Sequence, residues 1–326
     1  AKEKSFRSKK DLLRDFIILP AKEYGIVIEV RYHDASILYG GQVVLAKLRS
    51  DMNFACNQIL LPGDKVVLNE VHNKYYVQNL IKRSTILSRL KKDRTKLEDV
   101  GMVKNIAANI DVALLVVSAK EPPLHAKFID RYLLVLQNSK IPTILCLNKC
   151  EQKTSYEDTV LDVYRNLGIP VIETSTYEKT GIAELKQYLL GKQAILVGNS
   201  GVGKSSLINV LMDEEEAKTS HIGEKSKRGR HTTTTSKYYV WNTNSSVIDT
   251  PGIRSLDVSS FSANEIQDYF PEFHEWKKSC KYRDCLHYNE PYSDCMVKQQ
   301  VVNGNINQDR YESYVKMIRD YFGDHQ

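Results

Sequence analysis

A glycine-rich stretch in the middle of the chain has the residue types needed to hold phosphate groups. The segment GNSGVGKS fits the pattern G-x-x-x-x-G-K-[ST] in full. Glycines let the backbone aim successive N–H groups at phosphate oxygens, the lysine reaches the terminal phosphates of a nucleotide, and the serine hydroxyl ligates Mg²⁺. The residues expected to contact the nucleotide are Gly198, Asn199, Ser200, Gly201, Val202, Gly203, Lys204, Ser205 and Ser206.

The flanks of this stretch supply the structural context that such a loop requires. The apolar segment AILV precedes it and predicts a buried strand, whereas SSLINVLM follows it and predicts a helix beginning near Lys204. The positive end of that helix dipole adds to the attraction for phosphate. A phosphate loop alone, however, does not distinguish ATP from GTP.

A second motif, Asn148-Lys149-Cys150-Glu151, has the composition of a guanine-reading loop. The Glu151 carboxylate can accept hydrogen bonds from guanine N1–H and from the 2-amino group, and adenine lacks both donors. Asn148 and Lys149 are expected to brace this loop and to cover the base. A further segment, Glu173-Thr174-Ser175-Thr176, ends the next strand and is expected to place a backbone N–H, assigned to Ser175, against the guanine oxygen.

The metal side of the pocket is predicted from two stretches that follow the phosphate loop. Asp249 begins the segment DTPG, where it can hold Mg²⁺ through water while the Gly252 N–H senses a γ-phosphate. Between the two lies KSKRGRHTTTTSKYY, a polar, threonine-rich segment in the position of a switch. Thr232 or Thr233 is the candidate for the switch threonine that binds Mg²⁺.

The motifs occur in an inverted order, because the base-reading element comes before the phosphate loop. Each motif follows its own predicted strand, and the carboxyl ends of parallel strands meet at one edge of a sheet. Joining the old termini and cutting elsewhere therefore leaves the pocket intact, and the sequence predicts a circularly permuted GTPase. After DTPG the chain runs directly into the C-terminal segment.

The C-terminal segment contains Cys280, Cys285, His287 and Cys295 within sixteen residues. Three thiolates and one imidazole satisfy a tetrahedral structural Zn²⁺ and leave no open coordination position. The site is therefore expected to fold a small module that is poor in apolar residues rather than to catalyse a reaction.

The spacing of apolar residues predicts the remaining architecture. Five short β-rich runs precede a strand–helix–strand rhythm, which favours a small barrel, OB-fold or SH3-like, followed by a doubly wound α/β domain. The basic run KRSTILSRLKKDRTK between them is either a solvated linker or an RNA-contacting strap. The predicted divisions are a basic N-terminal arm (1–20), the all-β barrel (21–84), the permuted α/β GTPase domain (85–260) and a mainly helical zinc-binding domain (261–326).

Bulk properties restrict the class of protein. The net charge of +6 and pI of about 8.8 make a polyanionic partner worth testing. No apolar run approaches the ~20 residues that span a bilayer, and the N-terminal stretch is not of the signal-peptide type. We expect a cytoplasmic monomer with no membrane partner.

The combination of GNSGVGKSSL, GRHTTT, DTPG, NKCE, C-x4-C-x-H-x7-C and the terminal RYESY resembles the circularly permuted ribosome small subunit-dependent GTPase A (RsgA) family. This resemblance covers nearly the whole chain. It implies an N-terminal OB-fold, a role in late assembly of the small ribosomal subunit through its rRNA, and GTP hydrolysis to GDP that the subunit stimulates. It also implies that His231 replaces the water-orienting glutamine of Ras-like enzymes, since Ile253 follows Gly252.

One departure and two alternatives accompany this interpretation. Glu151 stands where the family usually has aspartate. The carboxylate is kept but is one methylene longer, so the difference affects how tightly guanine is bound more than which base is recognised. The chief alternative is a nucleotide-gated RNA-binding switch with negligible hydrolysis. A third interpretation, an ATP-dependent kinase or RNA-modifying enzyme, predicts that ATP competes with GTP.

Overall fold

The computed structural model describes residues 24–48, 60–91, 102–212, 237–242, 244–249, 258 and 261–322. The predicted basic arm therefore lies outside the described residues. Five strands near the N-terminus close into a barrel in the order β1-β2-β3-β5-β4, with Val27, Ile37, Val66 and Val77 in its core. This confirms the predicted five-stranded OB-fold barrel. The strands are β1 (Gly25–Val30), β2 (Asp34–Tyr39), β3 (Gln42–Lys47), β4 (Lys65–Val71) and β5 (Lys74–Leu80).

The basic run after the barrel is more regular than the sequence suggested. Strand β6 (Ile86–Lys91) pairs antiparallel with β7 (Met102–Ala108), so of the two alternatives the solvated linker does not describe this part of the run, and contact with RNA stays a prediction. Leu87 is fully buried, and the apolar residues of ILSRLK do not alternate strictly with polar ones, so periodicity gave no strand signal here. The pair of strands lies between the barrel and the next domain.

The central domain contains a six-stranded sheet in the order β10-β9-β8-β11-β13-β12. All neighbouring strands are parallel except β12, which is antiparallel to β13 at one edge. Since the parallel strands share a direction, their carboxyl ends form a single edge at which the predicted motifs begin. The strands are β8 (Val112–Ser118), β9 (Thr143–Asn148), β10 (Val171–Thr174), β11 (Gln193–Val197), β12 (Lys237–Asn242) and β13 (Ser245–Asp249).

Helices cover both faces of this sheet, as a doubly wound fold requires. Alternate residues of β8 point to opposite faces: Leu115 packs with α1 and α2, and Leu114 packs with α3 and α4. Strands β8 and β11 are buried throughout, which explains why they appear as continuous apolar runs in the sequence. The helices are α1 (Ala126–Asn138), α2 (Ser155–Asn166), α3 (Ile182–Leu189) and α4 (Lys204–Leu211).

The C-terminal part forms a small helical module that packs on the central domain. Helix α7 lies against α1, and the two share a buried apolar cluster that includes Phe270, Phe273 and Tyr314. Among the described helices, none combines the length and the apolar character needed to cross a lipid bilayer. The helices of the module are α5 (Ala263–Asp268), α6 (Met296–Val302) and α7 (Gln308–Phe322).

A buried arginine joins α7 to α1. Arg310 is 1% exposed and its guanidinium forms ion pairs with Asp130 on α1 and, at 2.7 Å, with Glu272. The guanidinium also lies over the ring of Phe270, 4.3 Å from its centroid. Burial raises the pKa of Asp130, and the neighbouring Arg310 opposes this shift. The Arg310–Asp130 pair therefore fixes the C-terminal module to the central domain through charges that have little contact with water.

Candidate functional site

The phosphate-binding motif forms the turn between β11 and α4, as predicted. Lys204 begins α4, and its Nζ donates to the carbonyls of Gly198 at 2.8 Å and Asn199 at 2.6 Å, so its ammonium lies over the loop. Gly203 has a φ of +94°, and a Cβ added there would lie 2.2 Å from Asn148 Nδ2. Only glycine allows so close an approach between this loop and the residue that ends β9.

That approach brings the base-reading element and the phosphate loop into one cleft. The buried Asn148 side chain donates from Nδ2 to the Val202 carbonyl at 2.9 Å, and its Oδ1 accepts from Thr174 Oγ1 at 3.2 Å. A single amide therefore links the ends of β9 and β10 to the turn after β11. Sequence reasoning assigned Asn148 to bracing, but it did not identify Thr174 or the Val202 carbonyl as its partners.

The rest of the base-reading element forms a tight turn. Lys149 has left-handed backbone angles, and its Nζ donates to the Glu121 carbonyl at 2.6 Å. Glu151 lies exposed in the short helical turn Cys150–Gln152 that follows. The Glu151 carboxylate is thus accessible to a ligand. Lys149 holds the β8–α1 connection, which contains Glu121, beside the phosphate loop. Nothing in the sequence around Glu121 indicated this contact.

The second base loop follows β10. Ser175 is fully buried, its N–H donates to the Thr180 carbonyl at 3.1 Å, and its Oγ accepts from the Glu178 N–H at 3.0 Å. These bonds stabilise the turn, and they engage the amide that was expected to contact the guanine oxygen. The next residue, Thr176, is half-buried at the start of the turn.

Asp249 ends β13 beside the phosphate loop. In the sheet it lies opposite Leu196 of β11 on one side and Lys237 of β12 on the other. Its Oδ1 is buried and has no hydrogen-bond partner among the described residues. Burial raises the pKa of this carboxyl, while Lys204 and Lys237 oppose the shift.

This environment fits a divalent cation. A buried carboxylate oxygen without a protein partner costs free energy, and a hard cation or its bound water would satisfy it. Ser205, the second predicted Mg²⁺ ligand, lies exposed in the first turn of α4. The two described residues of the predicted magnesium site, Ser205 and Asp249, therefore both offer oxygen atoms that can ligate Mg²⁺ or its bound water.

The predicted zinc ligands come together in the C-terminal module. The ligand atoms of Cys280, Cys285, His287 and Cys295 lie within 4.8 Å of one another. The three sulfurs are 3.7, 3.2 and 3.4 Å from His287 Nδ1 in that order. Tetrahedral zinc with bonds of about 2.3 Å to sulfur and about 2.0 Å to nitrogen requires sulfur–nitrogen separations of about 3.5 Å. The four side chains therefore fit a closed structural zinc site, with Nδ1 as the histidine ligand.

The surroundings hold these ligands in place. The His287 carbonyl accepts from Tyr311 Oη at 2.8 Å, and the Cys285 carbonyl accepts from Gln267 Nε2 at 3.0 Å. Burial lowers the pKa of His287 to about 4 and raises the pKa of the Cys285 and Cys295 thiols. The imidazole is thus neutral, as a ligand must be, and a bound cation would compensate the thiolates that burial disfavours.

The catalytic candidates lie outside the described residues. His231, Thr232, Thr233 and Gly252 all fall there, and their roles stay predictions.

Comparison with known proteins agrees with this geometry. The family model described as RsgA GTPase matches residues 80–259. Small ribosomal subunit biogenesis GTPase RsgA of Thermotoga petrophila is 34% identical over 290 residues, which are 87% of this chain and 90% of that protein. The protein of the same name from Pseudomonas fluorescens (strain Pf0-1) is 34% identical over 300 residues, 90% of this chain and 82% of that protein.

Two solved structures are similar to this chain over most of its length. The crystal structure of YjeQ from Thermotoga maritima superposes with a TM-score of 0.69 at 29% identity, covering 93% of this chain and 99% of that one. YloQ, described as a circularly permuted GTPase, superposes with a TM-score of 0.65 at 27% identity, covering 93% and 96%. The fold and the joined nucleotide loops define this chain as a circularly permuted GTPase that hydrolyses GTP. It belongs to the RsgA GTPase family.

Proposed function

We propose that this GTPase acts in late maturation of the small ribosomal subunit, where it binds the particle's rRNA and hydrolyses GTP to GDP and phosphate when the particle stimulates it. Membership of the RsgA family, whose relatives carry the name small ribosomal subunit biogenesis GTPase, supports this role. The observation that carries it is the Asn148–Val202 hydrogen bond, because it joins a guanine-reading loop to a phosphate loop in one cleft.

Within this pocket, we assign roles by position. Lys204 and the loop amides bind the phosphates, Ser205, Asp249 and a switch threonine bind Mg²⁺, and Glu151 reads the guanine edge. Because the Ser175 amide is engaged with Thr180, the amide of Thr176 becomes the donor to the guanine oxygen. His231 orients the attacking water, with Gly252 at the γ-phosphate. The Cys280, Cys285, His287 and Cys295 site holds one structural Zn²⁺.

Two exposed surfaces are suited to rRNA. The β1–β2 loop presents Tyr32, which is 88% exposed, beside Arg31 and His33. Aromatic rings flanked by cations bind single-stranded RNA by stacking and charge. The zinc module adds a cleft of about 570 Å³ lined by Lys278 and Arg283 among other residues. The protein works on this particle in the cytoplasm as a monomer, without a membrane partner.

The test is phosphate release under multiple turnover, measured with and without purified small ribosomal subunits. We expect slow turnover alone and a marked increase with small subunits but not with large ones. Lys204→Ala, which removes the cation over the phosphate loop, should abolish both rates. If small subunits give no stimulation, the alternative of a nucleotide-gated RNA-binding switch with negligible hydrolysis is favoured instead.

A further inference from the structure

The barrel touches the nucleotide domain at the first residue of the strand that leads to the phosphate loop. The buried Gln193 side chain donates from Nε2 to the carbonyls of Ala108 and Asn109, each at 2.9 Å. In the barrel, Gly63 has a φ of +88°, and a Cβ added there would lie 2.5 Å from Gln193 Nε2. The barrel backbone is therefore in direct contact with this amide.

Further hydrogen bonds fix the barrel in this position. Asn109 Nδ2 donates to the Gly63 carbonyl at 2.9 Å, and the Ala108 N–H donates to the Pro62 carbonyl at 3.0 Å. The adjacent Asp64 forms a buried ion pair with Arg83 at 2.7 Å. Displacing the barrel would leave several of these buried polar groups without partners, which is costly.

The other end of the Gln193 side chain reaches β12. Its Oε1 accepts a hydrogen bond from the buried Tyr238 hydroxyl at 2.7 Å. The same hydroxyl lies 2.9 Å from Ser246 Oγ on β13, and strand β1 of the barrel also contacts β12. The amide of Gln193 thus joins the barrel, the phosphate-loop strand and β12.

Strand β12 in turn lies beside Asp249, the predicted Mg²⁺ ligand at the end of β13. Tyr238 pairs with Ile248, and the preceding residue, Lys237, pairs with Asp249. A shift of β12 relative to β13 would change the pairing of Lys237 with Asp249.

We propose that Gln193 and Tyr238 are positioning residues that transmit the placement of the barrel on the ribosomal particle to Asp249. The inference rests on the proposed function, since it assigns to the barrel the surface that meets the particle. The chain of contacts runs from Gly63 to Gln193 and from Gln193 to Tyr238. It continues along β12 to Lys237, which pairs with Asp249.

The test compares Tyr238→Phe with Ser246→Ala in the full chain. Tyr238→Phe keeps the ring and removes the hydroxyl that joins Gln193, whereas Ser246→Ala removes the other partner of that hydroxyl and keeps the bond to Gln193. The readout is the ratio of GTP turnover with small subunits to turnover without them. A merely structural role would lower both rates or the melting temperature and leave this ratio unchanged.

We expect Tyr238→Phe to reduce the ratio by about fivefold or more, the scale of a coupling between sites. Unstimulated turnover, GTP affinity and binding to the particle should match the wild type, and Ser246→Ala should keep the full ratio. Adding Gln193→Met to Tyr238→Phe should lower the ratio no further, because both changes interrupt the same chain of contacts. Gln193→Met also leaves the Ala108 and Asn109 carbonyls without this donor, which should lower the melting temperature rather than the ratio. Full stimulation of Tyr238→Phe, or additive losses in the double variant, would overturn the inference. A wild-type protein that is not stimulated would contradict the proposed function and this inference with it.

Discussion

Asn148 Nδ2 lies 2.9 Å from the carbonyl oxygen of Val202, so an amide at the end of β9 is hydrogen-bonded to the phosphate loop that begins about fifty residues later in the chain. Both groups are buried or nearly so, and the bond spans the intervening strand β8. It shows that the inverted order of motifs along the chain does not separate them in space.

Replacing this asparagine tests the joined pocket. Asn148→Ala removes the bond to Val202 and leaves a buried carbonyl unpaired, which costs about 1–3 kcal/mol. We therefore expect the affinity for GTP and GDP to fall by roughly 5- to 150-fold, measured by titration with a fluorescent nucleotide. Asn166→Ala, at the exposed end of α2, is the control and should bind normally. Normal binding by Asn148→Ala would show that this bond does not support the pocket.

A second prediction concerns the arginine between the central domain and the zinc module. Arg310→Met leaves Asp130 as a buried charge without its partner, and breaking such a pair costs about 3–5 kcal/mol. We expect a correspondingly lower free energy of unfolding in urea. Lys127→Met breaks the exposed 2.9 Å pair with Glu312 between the same two helices and should cost at most about 1 kcal/mol. Equal effects of the two substitutions would contradict the assigned role of the buried pair.

A third prediction concerns zinc. The purified protein should contain one zinc per chain, and Cys285→Ser should lose it, because a serine hydroxyl is a poor replacement for a thiolate. Metal analysis and limited proteolysis should show an unfolded C-terminal module, while nucleotide binding is retained. Cys146→Ser, on the buried strand β9, should keep its zinc. Equal loss of zinc and nucleotide binding in Cys285→Ser would show that the zinc segment is part of the GTPase core.

The sequence predicted those strands and helices whose residue types or periodicity can be recognised within a short segment. The central strands β8 and β11 are buried throughout and appear as apolar runs, and the apolar residues of α1, α2 and α7 recur at helical periodicity. The candidate nucleotide and zinc residues could be predicted because their chemistry imposes residue types at fixed spacing. For the same reason the sequence alone predicts that Cys280, Cys285, His287 and Cys295 lie together, as they do in the structure.

What the sequence did not predict depends on contacts between distant segments. Strand β12 was missed because its residues follow a polar threonine-rich run and its hydrogen bonds go to β13 at the sheet edge. The roles of Arg310 and Gln193 come from partners far away in sequence, Asp130 and Tyr238. Both side chains are polar and buried, and a sequence pattern assigns polar residues to the surface.

The most direct test of the account is the nucleotide preference of Glu151→Gln. A carboxylate pairs with guanine N1–H and the 2-amino group, whereas a side-chain amide can accept from N1–H and donate to the oxygen that xanthine carries at that position. The variant should therefore lose affinity for GDP and gain affinity for XDP, measured by competition against a fluorescent nucleotide. Glu173→Gln, at the end of β10 where Lys153 and Arg165 hold the carboxylate, should keep the wild-type preference. If Glu151→Gln binds GDP and XDP as the wild type does, Glu151 does not read the base, and the proposed guanine pocket is contradicted.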